Sequence, residues 1–231
     1  MTFSSCFLSA FNHNATKVNE SNKQLVQVQD SAKIPTTKEI VNTLTSNEFE
    51  GRFVGSKGNE KAGQYISKIF KDIGLKPLFG DNYYDGYSQL VYNNYDTGTN
   101  KILNNVVGVI KGRESKNAVI VSAHFDHIGY QDGKIIRGAL DNASGVSALI
   151  KIANTLQEKS KEKSFDEDII FCAFNGEEEG LVGSRAFVNE IKSKSIYNSL
   201  YNINIDSIGA KAGGTFALKN KSNVSSKLYI L

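Results

Sequence analysis

Short apolar runs, each closed by a polar cluster, set the rhythm of the chain from residue 105 onward. Asn105–Ile110 (NVVGVI) and Ala118–Ala123 (AVIVSA) are rich in β-branched residues and bounded by the turn-forming KGRESKN, which predicts two neighbouring buried strands. From Asp141 the pattern turns helical, with Val146, Leu149, Ile150, Ala153 and Leu156 on one face before the charged loop EKSKEKSFDED. Asp168–Phe174 then reads as a strand, Leu181–Ile191 as a helix and Leu200–Ile205 as another strand, with one further short strand over Thr215–Leu218. Such alternation predicts an α/β fold with a largely parallel sheet and helices on both faces.

The first half carries weaker signals. Ile40, Val41 and Leu44 give Thr36–Ser46 an amphipathic helical face after Pro35, and Asn59–Ile73 repeats the pattern with Ala62, Ile66, Ile69, Phe70 and Ile73 before a stop at Gly74. Between them lies EFEGRFVGSKGN, whose GxxxGSK spacing does not match a phosphate-binding GxxxxGK[ST] loop. Gly80–Asn100, with five tyrosines among Asn, Asp and Gly, predicts a strand and an irregular hairpin whose tyrosines form half-buried strand surface. Residues 1–33 are polar enough to predict a disordered segment, leaving 34–231 as one domain.

Composition removes several function classes. The 27 Lys+Arg against 24 Asp+Glu give a net charge of +3 without a basic block, and Arg52, Arg113, Arg137 and Arg185 are the only arginines, so no nucleic-acid footprint is visible. Cys6 and Cys172 are too few and too separated for a disulfide framework or a CxxC site, and Cys172 reads as a small buried hydrophobe. No run reaches the roughly 18 apolar residues of a membrane span. The opening MTFSSCFLSAF reads in two ways. As a degenerate lipidation box over Phe3–Cys6 it implies an extracellular or cell-surface location, and as a plain polar terminus a cytoplasmic one.

What changes the picture is where the acids and histidines stand. SAHFDHIG, GALDNASG, FNGEEEGLVGS and NIDSIG place His124, Asp126, Asp141, Glu177, Glu178 and Asp206 in the segments that follow apolar runs, and ligands of α/β sheets gather beyond the carboxyl ends of strands. Imidazole and carboxylate together suit zinc. In the HxD pair, Asp126 is placed to accept the second ring N–H of His124. His127 is expected as a pocket wall or as a group behind the ligands. Adjacent glutamates on an extended segment point different ways, so of Glu177 and Glu178 one can bind metal while the other takes a proton from water.

These ordered segments, together with EFEGRFVGSKGNEKAGQYISKIFKDIGLKP, resemble metallopeptidase family M28, the di-zinc aminopeptidases, over roughly residues 36–209. The resemblance implies an α/β fold with a mixed, mostly parallel sheet flanked by helices, and an exopeptidase acting on peptide substrates. It implies Asp141 as the ligand bridging two zincs, with His124 and Asp206 completing one position, Glu178 binding at the other and Glu177 as general base. It also suggests a strained, cis peptide at Asp141–Asn142. The family's further histidine, downstream of the NIDSIG strand, has no counterpart among His13, His124 and His127. The expectation is therefore a chain cut short at its C-terminus, lacking the last strands and helix of the fold, and holding one zinc or two. Two alternatives accompany this reading: single-zinc acyl transfer of the glutaminyl-cyclase kind, and a non-catalytic fragment or binding module.

Overall fold

Period-2 alternation within three central strands decides which helices cover which face of the sheet. The computed structural model describes residues 33–92 and 98–210. Its strands are β1 (Lys76–Pro77), β2 (Tyr84–Tyr92), β3 (Gly98–Ile110), β4 (Asn117–His124), the small hairpin β5 (Tyr130–Gln131) and β6 (Lys134–Ile135), β7 (Asp168–Phe174) and β8 (Ser199–Asn204). The helices are α1 (Thr37–Leu44), α2 (Lys57–Ile73), α3 (Gly145–Glu162) and α4 (Val182–Ser193). Val106 and Ile110 of β3, Val121 and Ala123 of β4, and Phe171 and Ala173 of β7 pack against α1, α2 and α3. The intervening residues Val107, Val109, Ile120, Ile170 and Cys172 face the other way, onto Phe187 and Ile191 of α4. Cys172 is fully buried there, as a small hydrophobe should be.

The main sheet runs β1-β3-β7-β4-β8, with β2 also paired to β3. β7, β4 and β8 are mutually parallel, while β1, β2 and β7 each pair with β3 in antiparallel fashion, so the sheet is mixed. β3 and β4 are not neighbours as the sequence pattern suggested. β7 lies between them, its Phe171 opposite Gly108 on one side and Val121 on the other. The parallel trio ends in register, with His124 opposite Phe174 and Ser122 opposite Asn204. Whatever follows these three strands therefore emerges along one edge.

Helix ends follow their sequence signals. Thr36 caps α1 in a reciprocal box with Glu39, and Ser56 caps α2 by accepting the Asn59 N–H. Gly74 closes α2 in a left-handed conformation. α3 begins four residues later than the pattern predicts, because Asp141 (φ −109°, ψ 98°) and Asn142 (φ −134°, ψ 41°) lie outside helical space. Thr215–Leu218 and the N-terminal segment through residue 32 lie outside the described residues. Among the described residues no helix is long and apolar enough to cross a membrane.

At the opposite end of β7, the Asp168 side chain is fully buried and accepts from Lys111 (2.8 Å), Ser115 (2.6 Å), Tyr197 (2.5 Å) and the Gly112 N–H (2.8 Å). Burial alone would raise its pKa, but these donors outweigh it and hold the carboxyl below its ordinary value. Its contribution to stability is thus full at neutral pH and fades as pH falls below about 4. D168N, which leaves these donors facing an amide, is expected to cost about 2–4 kcal/mol in urea denaturation at pH 7.

Candidate metal centre

The carboxyl edge of β4, β7 and β8 gathers every residue singled out from the sequence. His124 is the last residue of β4 and is buried. Its Nε2 lies 3.1 Å from Asp141 Oδ1 and 3.7 Å from Asp206 Oδ1. Donor atoms about 2.0–2.2 Å from a tetrahedral ion lie roughly 3.3–3.6 Å from one another, and the two distances bracket that range. A second group consists of His127, Asp141 and Glu178, whose donor atoms, like those of the first, all lie within 4.8 Å of one another. Asp141 belongs to both groups. His127 Nδ1 is 2.8 Å from Glu178 Oε1, a hydrogen-bond distance.

Asp126 sits differently from the expectation. Its carboxylate is 3.6 Å from His124 Nδ1, whereas the Asp126 backbone carbonyl is 3.2 Å from that nitrogen. Instead the fully buried carboxylate accepts the backbone N–H groups of Glu177 and Glu178, both at 3.1 Å. Asp126 thereby fixes the start of the glutamate loop against the end of β4, a role that residue spacing alone does not reveal. Three further backbone bonds brace that loop: Gly180 and Leu181 donate to the Glu177 carbonyl, and Val182 donates to that of Gly176.

Asp141 owes its position to two neighbours. Gly138 enters the turn with φ 56°, and a Cβ there would collide with the Asp141 carbonyl oxygen and stand 2.6 Å from His127 Cδ2, so no larger residue fits. Asn142, fully buried, donates to the Ile205 carbonyl (3.0 Å) and accepts from the N–H groups of Gly145 (2.9 Å) and Ser207 (3.2 Å). One amide side chain therefore ties the Asp141 turn to the residues flanking Asp206. The Asp141–Asn142 peptide is cis.

Electrostatics match a cation site. Burial pulls the His124 pKa down, but Asp126, Asp206 and Glu177 outweigh it and push the ring up to about 9. A positive charge is thus favoured at the point where the carboxylates converge, and the ring gives up its proton when it coordinates a metal. Partial burial raises the Glu177 carboxyl, with Asp126, Glu178 and Asp206 adding to the shift and His124 opposing it. Glu177 belongs to neither donor group.

The sequence profile for peptidase family M28 matches residues 105–229, more than half of the chain and nearly all of the segments just described. The chain belongs to peptidase family M28. Over 113 residues it is 34% identical to aminopeptidase YwaD of Bacillus subtilis, a match spanning 48% of this chain and 23% of YwaD. Among solved structures, the M28 chain superposes on Porphyromonas gingivalis glutaminyl cyclase with a TM-score of 0.58 at 18% identity, covering 78% of this chain and 62% of that one. It superposes on a leucine aminopeptidase precursor from Bacteroides thetaiotaomicron with a TM-score of 0.56 at 19% identity, covering 78% and 66%. These structural likenesses establish the M28 fold, a mixed sheet flanked by helices. The chain spans less than half the length of the curated relatives it first matches.

Proposed function

We propose that this chain carries the catalytic centre of a zinc-dependent aminopeptidase. The observation that carries the reading is the pair of donor groups sharing Asp141 with a free carboxylate, Glu177, beside them. His124, Asp141 and Asp206 would hold one zinc, three protein ligands being the number that catalytic zinc sites use. Asp141 and Glu178 would serve a second, with His127 keeping Glu178 oriented through its 2.8 Å hydrogen bond. Zinc bound there would polarise the scissile carbonyl and make a water acidic enough to ionise near neutral pH.

The chain's own residues supply the rest. Glu177, its backbone fixed by Asp126, takes the proton of the attacking water and returns it to the leaving amine. The similarity to aminopeptidase YwaD supports exopeptidase action rather than internal cleavage.

Incubation of the zinc-equilibrated chain with peptides bearing N-terminal Leu or N-terminal Gln, followed by mass spectrometry, tests the reading. Stepwise loss of N-terminal residues, abolished by a chelator, is expected. Loss of ammonia from the Gln peptide without shortening would assign cyclisation instead, and no zinc-dependent change in either peptide would sink both. H127A is expected to weaken the second zinc about 10–100-fold, the usual cost of removing a ligand's hydrogen-bond partner, and to leave the first zinc in place. Competition titration against a zinc-sensitive dye resolves the two.

A further inference from the structure

Arg52 is the largest fully buried side chain of the protein among the described residues, yet it stands at the end of a short, kinked 3-10 helix (Asn47–Arg52) and meets no carboxylate within hydrogen-bond reach. Its guanidinium is spent entirely on backbone carbonyls. Nε donates to Phe125 (2.7 Å), Nη1 to Leu44 (2.5 Å) and Arg137 (2.8 Å), and Nη2 to Gly138 (2.8 Å). Phe125 lies between His124 and Asp126, while Arg137 and Gly138 lead directly into the Asp141 turn. One rigid fork thus spans both segments that carry the first donor group's His124 and the shared Asp141.

The backbone around Arg52 extends the same clamp. The Arg52 carbonyl accepts from the His127 N–H (3.2 Å), and that of Gly51 accepts from Gly129 (3.1 Å). Glu50, Gly51 and Arg52 all have positive φ, and a Cβ on Gly51 would collide with the Gly129 carbonyl oxygen and stand 2.5 Å from that of Ile136. Seven residues on, Asn59 donates to the Arg52 carbonyl (3.2 Å) and forms a reciprocal amide pair with Asn175 (2.9 and 3.0 Å). Asn175 stands two residues before Glu177.

We infer that the segment from Glu50 to Asn59, which runs into the first turn of α2, is the spacer of the metal centre, with Arg52 as the positioning residue that sets the separation of the His124 and Asp141 segments and Asn59 anchoring the glutamate loop. This inference rests on the metal-binding reading proposed above. It gives a purpose to the EGRFVGSKGN motif, whose glycines do not have phosphate-loop spacing. A guanidinium is required because its planar donors reach several carbonyls in fixed directions, whereas an ammonium acts as a single point. Burial pulls the Arg52 pKa down to about 10, with Asp126, Asp141 and Glu178 opposing that fall, so the fork stays charged at neutral pH.

The test is R52K, which keeps the charge and loses the fork. Zinc affinity is expected to fall about 10–100-fold, as when groups supporting a ligand are removed, and the visible bands of the cobalt-loaded chain are expected to shift. D168N, weakened at the far end of β7, serves as the stability control and should bind zinc as the wild type does. Unchanged zinc affinity and cobalt spectrum in R52K would overturn the inference, as would an equal loss in D168N. If R52K does not fold, N59S replaces it: it breaks the Asn175 pair, and wild-type zinc binding in that variant overturns the inference in its turn. A wild-type chain that takes up no zinc defeats the metal reading itself. Zinc that is present and lost in H124A while R52K is indifferent defeats only the role given to Arg52.

Discussion

Zinc bound to the D141A chain is expected to fall to near zero under conditions that saturate the wild type. Asp141 is the one residue common to both donor groups, so its removal leaves His124 with Asp206 at one position and, at the other, Glu178 with only its hydrogen-bond partner His127 beside it. Neither position then reaches the three protein ligands that a catalytic zinc site uses. Peptidase activity should fall on the order of a thousandfold or more, since the several kcal/mol that a Lewis acid contributes vanish with the metal. The turn itself should survive, because Asn142 holds it to Ile205, Gly145 and Ser207 without help from the Asp141 carboxylate. Elemental analysis after desalting, with circular dichroism to confirm the fold, reads the outcome. Zinc retained at one per chain in D141A would mean that the two groups do not share this ligand.

The strands and the polar clusters that follow them were legible because each is a local pattern. β-branched runs bounded by turn residues mark β3, β4 and β7, while the two faces that α2, α3 and α4 cover are seen only in the structure. Strand order was not legible. Nothing in NVVGVI or AVIVSA says that β7 inserts between them, since pairing depends on how the whole chain folds back rather than on either segment. The acids and histidines could be named from their place after apolar runs, but the residues that fix them could not. Asn142 reaches Ile205 and Ser207, Asp126 reaches the N–H groups of Glu177 and Glu178, and Arg52 reaches Phe125 and Gly138, all across more than fifty residues of sequence. A lone Arg in a glycine-rich stretch has no periodic signature, and its burial emerges only when the distant segments at Phe125 and Arg137–Gly138 close around it together with the nearby end of α1 at Leu44.

Glu177→Gln separates metal holding from proton transfer. The substitution keeps size and polarity, and the Glu177 backbone N–H remains bound to Asp126, so the loop should keep its course. Glu177 belongs to neither donor group, and zinc content is therefore expected to match the wild type. What the amide cannot do is accept a proton from water, and removal of a general base typically lowers turnover about 10²–10⁴-fold. KM should change little, because the proposed zinc ligands His124, Asp141, Glu178 and Asp206 are untouched. The neighbouring glutamate gives the opposite signature: E178Q should weaken the second zinc first, and added zinc should restore part of its activity. The E177Q chain cannot be restored in that way, because its metal is already in place. Turnover in E177Q equal to that of the wild type would remove Glu177 from the mechanism and leave the water's proton to another group at this edge of the sheet.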